Sequence, residues 1–224
     1  MTIGTLGEKS LHADLKAWLA QPGDEVEVPL DGFVIDIVRG GTLLEIQTRH
    51  LYAMKRKLDR LLPHHPVHIF YPIAAEKWIV RETAVSLPIS RRKSPKRGQP
   101  ADVFAELVRL TGYLTHPNLT LHLLLTQEEE IWRDDGQGSW RRGRWSRHDR
   151  RLLAVIGQVT LAGSADYLAL LPPHLPDPFT NQQLAEAVPC RPALAQKISY
   201  TLRHIEAITL AGKAGNAHLY TRQT

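Results

Sequence analysis

Apolar residues recur at helical spacing near the start of the chain. Leu11, Leu15, Trp18 and Leu19 predict an amphipathic helix over 6–20, ended by Pro22-Gly23. Alternation then takes over. Val26 to Leu30 and Phe33 to Arg39 read as strands, Gly40-Gly41 as a two-residue hairpin turn, and Thr42 to Thr48 as the returning strand. Leu51, Met54, Leu58, Leu61 and Leu62 mark a second helix closed by Pro63. The run Val67 to Tyr71 suits a buried strand, and Trp78 to Arg81 a short further one. Val103, Leu107, Leu110 and Leu114 predict a third helix, and Leu119 to Leu125 a strand. Trp132 to Trp145 reads as a hairpin broken by Asp134-Asp135-Gly136. From Asp149 the pattern turns helical. Leu152, Val155, Ile156 and Val159 form one stripe, a second helix begins near Thr180-Asn181, and Leu194, Ile198, Leu202 and Ile205 stripe a third. A hairpin over Thr209 to Tyr220 follows.

Composition narrows the class. The 224 residues are 43% hydrophobic and 23% charged, as expected of a folded chain of one or two domains. The single cysteine, Cys190, excludes an intrachain disulfide and a thiolate zinc cluster. No apolar run approaches the ~18 residues of a membrane span, and Met1-Thr2-Ile3-Gly4-Thr5 lacks the features of a signal peptide. The expectation is a cytoplasmic protein with no membrane contact. The net charge of +5 is concentrated in the middle: residues 1–87 carry −1, 88–151 carry +5 and 152–224 carry +1. Arg91-Arg92-Lys93-Ser94-Pro95-Lys96-Arg97 reads as one basic loop. Arg141, Arg142 and Arg144, with Arg147, Arg150 and Arg151 beside Trp140 and Trp145, make a second cluster. A polyanion, and DNA in particular, is the expected partner.

The hairpin turned by Gly40-Gly41 sets Asp36 directly opposite Glu45, with Cβ atoms ~4.5–5.5 Å apart. One face, Phe33, Ile35, Ile37, Leu44 and Ile46, is wholly apolar. The other carries Asp36, Glu45, Gln47 and Arg49 among Val34, Val38 and Leu43. Two half-buried carboxylates repel, and a hard divalent cation, Mg²⁺ or Mn²⁺, would turn that repulsion into a binding site. On this reading Asp36→Asn should raise metal-free stability. His64-His65-Pro66-Val67-His68 lies at a helix-to-strand turn and reads as polar loop rather than a metal site.

The order helix, strand, Asp-bearing strand, hairpin, Glu-x-Gln strand, helix resembles the PD-(D/E)xK nuclease superfamily over residues 6–74, with Asp36 and Glu45-Ile46-Gln47 as the motif. The resemblance implies an α/β fold, a restriction-endonuclease-like mixed sheet flanked by helices, acting as a metal-dependent DNA endonuclease. Asp36 and Glu45 would be the metal ligands. Gln47 stands where the superfamily has lysine and would orient the attacking water, and Lys55 on the next helix would supply the missing positive charge. A carboxylate from the first helix would be Glu8, although Thr5-Leu6-Gly7-Glu8 equally reads as a capping box. The absent lysine leaves a second reading, a catalytically inactive nuclease fold acting as DNA-binding regulator or assembly subunit. Residues 148–224 resemble a small winged-helix domain, which implies that its third helix reads the major groove. Helical geometry turns Gln196, Ser199, Tyr200 and Arg203 outward from that helix. The expected organisation is a nuclease-like domain over 1–147 and a winged-helix-like domain over 148–224, working on DNA as a homodimer or within a larger nucleoprotein assembly.

Overall fold

Leu11, Leu15 and Leu19 form one apolar stripe on helix α1 (Ser10–Leu19), which lies against a mixed sheet. The computed structural model describes residues 10–83, 85–134 and 145–223. Strands β1 (Glu25–Leu30), β2 (Phe33–Arg39) and β3 (Thr42–Ile46) form an antiparallel meander. A four-residue 3₁₀ turn (Leu51–Met54) and helix α2 (Lys55–Leu61) then carry the chain over to β4 (Val67–Glu82), which runs parallel to β3. Only a crossover of this kind lets successive strands run parallel. The sheet has seven strands in the order β1-β2-β3-β4-β6-β7, with β5 (Pro88–Lys93) beside the far half of β4. Strand β6 (Leu119–Arg133) is parallel to β4, and β7 (Ser146–Leu161) is antiparallel to β6.

Helices cover both faces, because neighbouring residues of one strand point to opposite sides. Ile37, Leu44, Ile46, Phe70 and Leu124 pack beneath α1. On the other side Leu43, Ile69 and Leu123 join Leu58 and Leu61 of α2 and Phe104 of α3 (Phe104–Leu107). That second core continues without a break into the C-terminal elements α4 (Ser164–Leu168), α5 (Asn181–Ala187), α6 (Pro192–His204) and the β8–β9 hairpin (Ile208–Ala214, Ala217–Arg222) through Tyr167, Phe179, Ile198 and Leu202. The fold is α/β, a mixed sheet flanked by helices. Among the described residues no helix is long and apolar enough to cross a membrane.

Four expectations need correction. The helix expected around Leu152 to Val159 is part of β7. Three bulges, at His148, Leu153 and Ile156, shift its register against β6, so Leu152 and Val155 both pack beneath α1 although three residues apart. A bulged strand thus mimics helical spacing. The expected boundary at 147/148 falls inside that strand, and α4 takes the place of the first C-terminal helix. The first basic cluster is in part strand rather than loop, with Arg91, Arg92 and Lys93 on β5 and the rest beyond its end. Trp78 to Arg81 is not separate but the continuation of β4, a strand of 16 residues.

The far ends of β4, β6 and β7 carry buried charge. Glu128 is fully buried and accepts from Arg150 Nε (2.9 Å), Arg150 Nη2 and Thr126 Oγ1 (2.7 Å). Removing one partner of such a pair strands a buried charge, whereas replacing both with apolar groups need not cost stability. Arg150→Ala is expected to destabilise by about 3–5 kcal/mol in urea unfolding. The double variant Arg150→Met with Glu128→Leu should recover most of that stability, since Thr126 can donate to the Ile73 carbonyl 3.2 Å away.

Candidate active site

The β2–β3 ladder runs Arg39–Thr42, Val38–Leu43, Ile37–Leu44, and stops one pair short of Asp36 and Glu45. The two carboxylates are therefore not a laddered cross-strand pair. Instead the strands part, and the Ile46 amide donates to Asp36 Oδ2 at 2.8 Å. From the α1 side, His12 Nε2 lies 3.2 Å from the same oxygen and Lys16 Nζ 3.9 Å from Oδ1. On the α2 side, Lys57 Nζ is 2.5 Å from Glu45 Oε1 and donates to the Val34 carbonyl at 2.7 Å. Asp36 is met from the α1 face of the sheet and Glu45 from the α2 face, each beside its own cations.

Their electrostatics differ. Burial works to raise the Asp36 pKa, but the His12 contact and the Ile46 N–H outweigh it and hold the carboxyl below its ordinary range. Glu45 is 5% exposed, and burial pushes its pKa to about 7. Lys57 pulls that value down and the Asp36 charge pushes it up. Environments that separate the pKa values of two adjacent carboxyls are a feature of catalytic sites, although structural ion pairs produce the same effect.

The other expected site residues are dispersed. Lys55 begins α2 and is exposed, and Lys57 is the lysine that reaches Glu45. The preceding 3₁₀ turn advances each residue by ~120° rather than ~100°, so a single helical period extrapolated from Leu51 is out by roughly 80° on entering α2. Met54 and Leu61, three before and four after Lys57, both buried, are the signal that points to Lys57. His12 and Lys16 were missed as well; each follows a buried leucine of the α1 stripe by one residue. The Gln47 side-chain amide donates to the carbonyls of Arg49 and His50, so its nitrogen closes the turn after β3. Glu8, Arg141, Arg142 and Arg144 lie outside the described residues.

The basic residues of the β5 region are exposed but partly neutralised. Arg91 pairs with Glu129 (2.7 Å), Lys93 with Glu76 (2.7 Å) and Arg97 with Glu76 (3.7 Å), and Arg91 and Lys93 both stack over Trp78. Arg92 and Lys96 have no such carboxylate partner among the described residues. Arg92 pairs with Ile79, ten residues along β4 from the Ile69 that lies beside Glu45, which places it roughly 30 Å from the carboxylates. On α6, Gln196, Tyr200 and Arg203 are exposed, whereas Ser199, expected outward, is 3% exposed and donates to the Gln196 carbonyl. His68 and His122 contact each other at 3.1 Å. Among the described residues no group of three or more His, Cys, Asp or Glu is placed to hold a metal.

Residues 9–162, from the start of α1 to the end of β7, match a family described as a domain of unknown function, DUF8091. The chain belongs to the DUF8091 family. The matched region of this DUF8091 protein holds the whole seven-stranded sheet and the Asp36–Glu45 pair, and stops before α4. A Treponema pallidum (strain Nichols) protein described as "Uncharacterized protein" is 33% identical over 227 residues, spanning 100% of this chain and 88% of its own length. No solved structure matches the chain.

The Glu45 shift has a measurable consequence. Glu45 binds its proton more tightly folded than unfolded, so its contribution is complete below its ordinary pKa of 4.5 and is lost as pH rises through about 7. Metal-free protein is expected to lose up to about 3 kcal/mol across that window, and Glu45→Gln to flatten it, in urea titrations at stepped pH. Asp36 carries the opposite sign, because the folded state favours its charge. Asp36→Asn should therefore lower metal-free stability by about 1 kcal/mol, the reverse of what repulsion alone predicts.

Proposed function

We propose that the protein is a metal-dependent DNA endonuclease of PD-(D/E)xK type, acting in the cytoplasm, with α4–α6 and the β8–β9 hairpin as a winged-helix DNA-binding unit. The observation that carries this reading is a pair of largely buried carboxylates, near enough that the Asp36 charge disfavours that of Glu45. Asp36 and Glu45 come from adjacent strands that part beside them, and Lys57, from α2, supplies a lysine beside Glu45 although the motif position itself holds Gln47. Two desolvated carboxylates, one with its charge disfavoured by the other, suit a hard divalent ion such as Mg²⁺ or Mn²⁺. Asp36 and Glu45 would hold that ion, which when bound supplies Lewis-acid stabilisation and an acidified water.

The chain's own groups do the positioning. The Ile46 N–H and His12 fix the Asp36 carboxylate. Lys57, steadied by the Val34 carbonyl, sets a positive charge beside Glu45, where charge developing on a phosphodiester would meet it. Exposed Gln196, Tyr200 and Arg203 on α6 and Arg92 and Lys96 near β5 offer groove and phosphate contacts. One observation favours an inactive DNA-binding regulator instead: the Lys57–Glu45 ion pair already neutralises one of the two carboxylates.

Supercoiled plasmid separates the two. Wild-type protein should nick it with Mg²⁺ or Mn²⁺ and not with EDTA, and Asp36→Ala should reduce the rate by at least about 100-fold, the scale of losing transition-state stabilisation. Thermal melts should show Mg²⁺ stabilising the wild type and scarcely stabilising Asp36→Asn. If neither ion supports nicking and Mg²⁺ moves neither melting curve, the endonuclease reading fails and the regulator takes its place.

A further inference from the structure

The loop that follows β3, the helix α3 region and α6 enclose a cavity of about 390 Å³ lined by His50, Tyr52, Glu106, Arg109 and Lys197. Its one carboxylate, Glu106, whose Oε2 accepts the Leu51 N–H at 3.2 Å, offsets one of the two cations and leaves the lining net positive. Its two fixed cations have no carboxylate partner among the described residues. The Arg109 guanidinium lies 4.7 Å from the Tyr52 ring centre, and Lys197 Nζ donates to the Ala105 carbonyl at 3.2 Å. The His50 ring, on a residue held at φ 51°, stands 5.6 Å from the Tyr52 ring. The packing of α6 on α3 fixes both cations relative to the loop.

We propose that this cavity holds a backbone phosphate of the bound nucleic acid, so that α6 grips the strand near the carboxylate pair. The inference rests on the DNA-binding reading and adds a specific contact to it. A phosphate fits better than a base, because Arg109 already covers a face of Tyr52 on which a base would stack. The place is right as well. His50 follows Glu45 by five residues, so the rim lies within about 17 Å of Glu45, about five base steps of a duplex. Arg49, on the same loop, is half-buried without an ion pair among the described residues; burial and then Arg147 and Arg150 disfavour its charge, against a pull from Glu130 and Glu128. Arg49 thus adds a cation without an ion pair to the chain that leaves β3.

The test is binding of a short fluorescent DNA duplex to the full chain in EDTA, where cleavage does not intervene, across a salt series. Arg109→Ala with Lys197→Ala should weaken binding at least fivefold at low salt and flatten the log K against log salt slope by ~1.8, which is ~0.9 for each cation taken off a phosphate. Melting curves confirm that the variant is folded. Should it not fold, Arg109→Gln with Lys197→Gln keeps size and polarity and replaces it. A folded variant that binds with wild-type affinity and slope overturns the inference, as does a wild type without affinity for DNA. A wild type that binds with the expected salt slope but never nicks plasmid removes only the endonuclease reading.

Discussion

The Ile46 amide donates to the side chain of Asp36 where an ordinary ladder would offer it a backbone carbonyl of β2. That exchange lets β2 leave β3 without stranding a buried donor, which would cost ~1–3 kcal/mol. A second polar group is handled the same way. Val34 follows the Leu30–Phe33 pair that closes the β1–β2 turn, so its carbonyl faces away from β1, and it accepts from Lys57. The parting of the strands is thus held open from both helices, α1 through His12 and α2 through Lys57. Glu45 is left between them, cut off from water and facing another carboxylate.

The part of this arrangement that depends on local rules was legible in the sequence. Gly40 and Gly41 both take positive φ, 54° and 83°, which a two-residue hairpin turn requires, and the turn alone sets Asp36 and Glu45 on facing strands. What failed was extrapolation of one period across a change of geometry. The 3₁₀ turn before α2 rotated the helix enough to exchange Lys55 for Lys57. Bulges at Leu153 and Ile156 gave a strand the spacing of a helix and displaced a domain boundary. His12 and Lys16 were hidden for another reason. They lie beside the apolar stripe of α1, and only the tertiary position of the sheet gives them carboxylates, Asp36 for His12 and Glu27 and Asp36 for Lys16.

Formal charge was a weaker guide than position. Arg91 and Lys93 belong to a conspicuous basic run, yet Glu129 and Glu76 answer them, and the run lies far along β4 from the carboxylate pair. Arg109 and Lys197 belong to no cluster in the sequence. Their significance comes from α3 packing on α6, a contact between segments almost ninety residues apart.

The core beneath α2 and α3 also reaches Tyr167, Ile198 and Leu202. The C-terminal elements are therefore not a tethered module whose reach a linker sets. Ile198 and Leu202 hold α6 to the sheet from below, while Gln196, Tyr200 and Arg203 face out. On the proposed reading, in which one surface would read DNA and another would cut it, a shared core turns the spacing between them into a ruler. The distance from contacted bases to the broken bond would then be a constant of the fold, written into apolar residues that never touch the substrate.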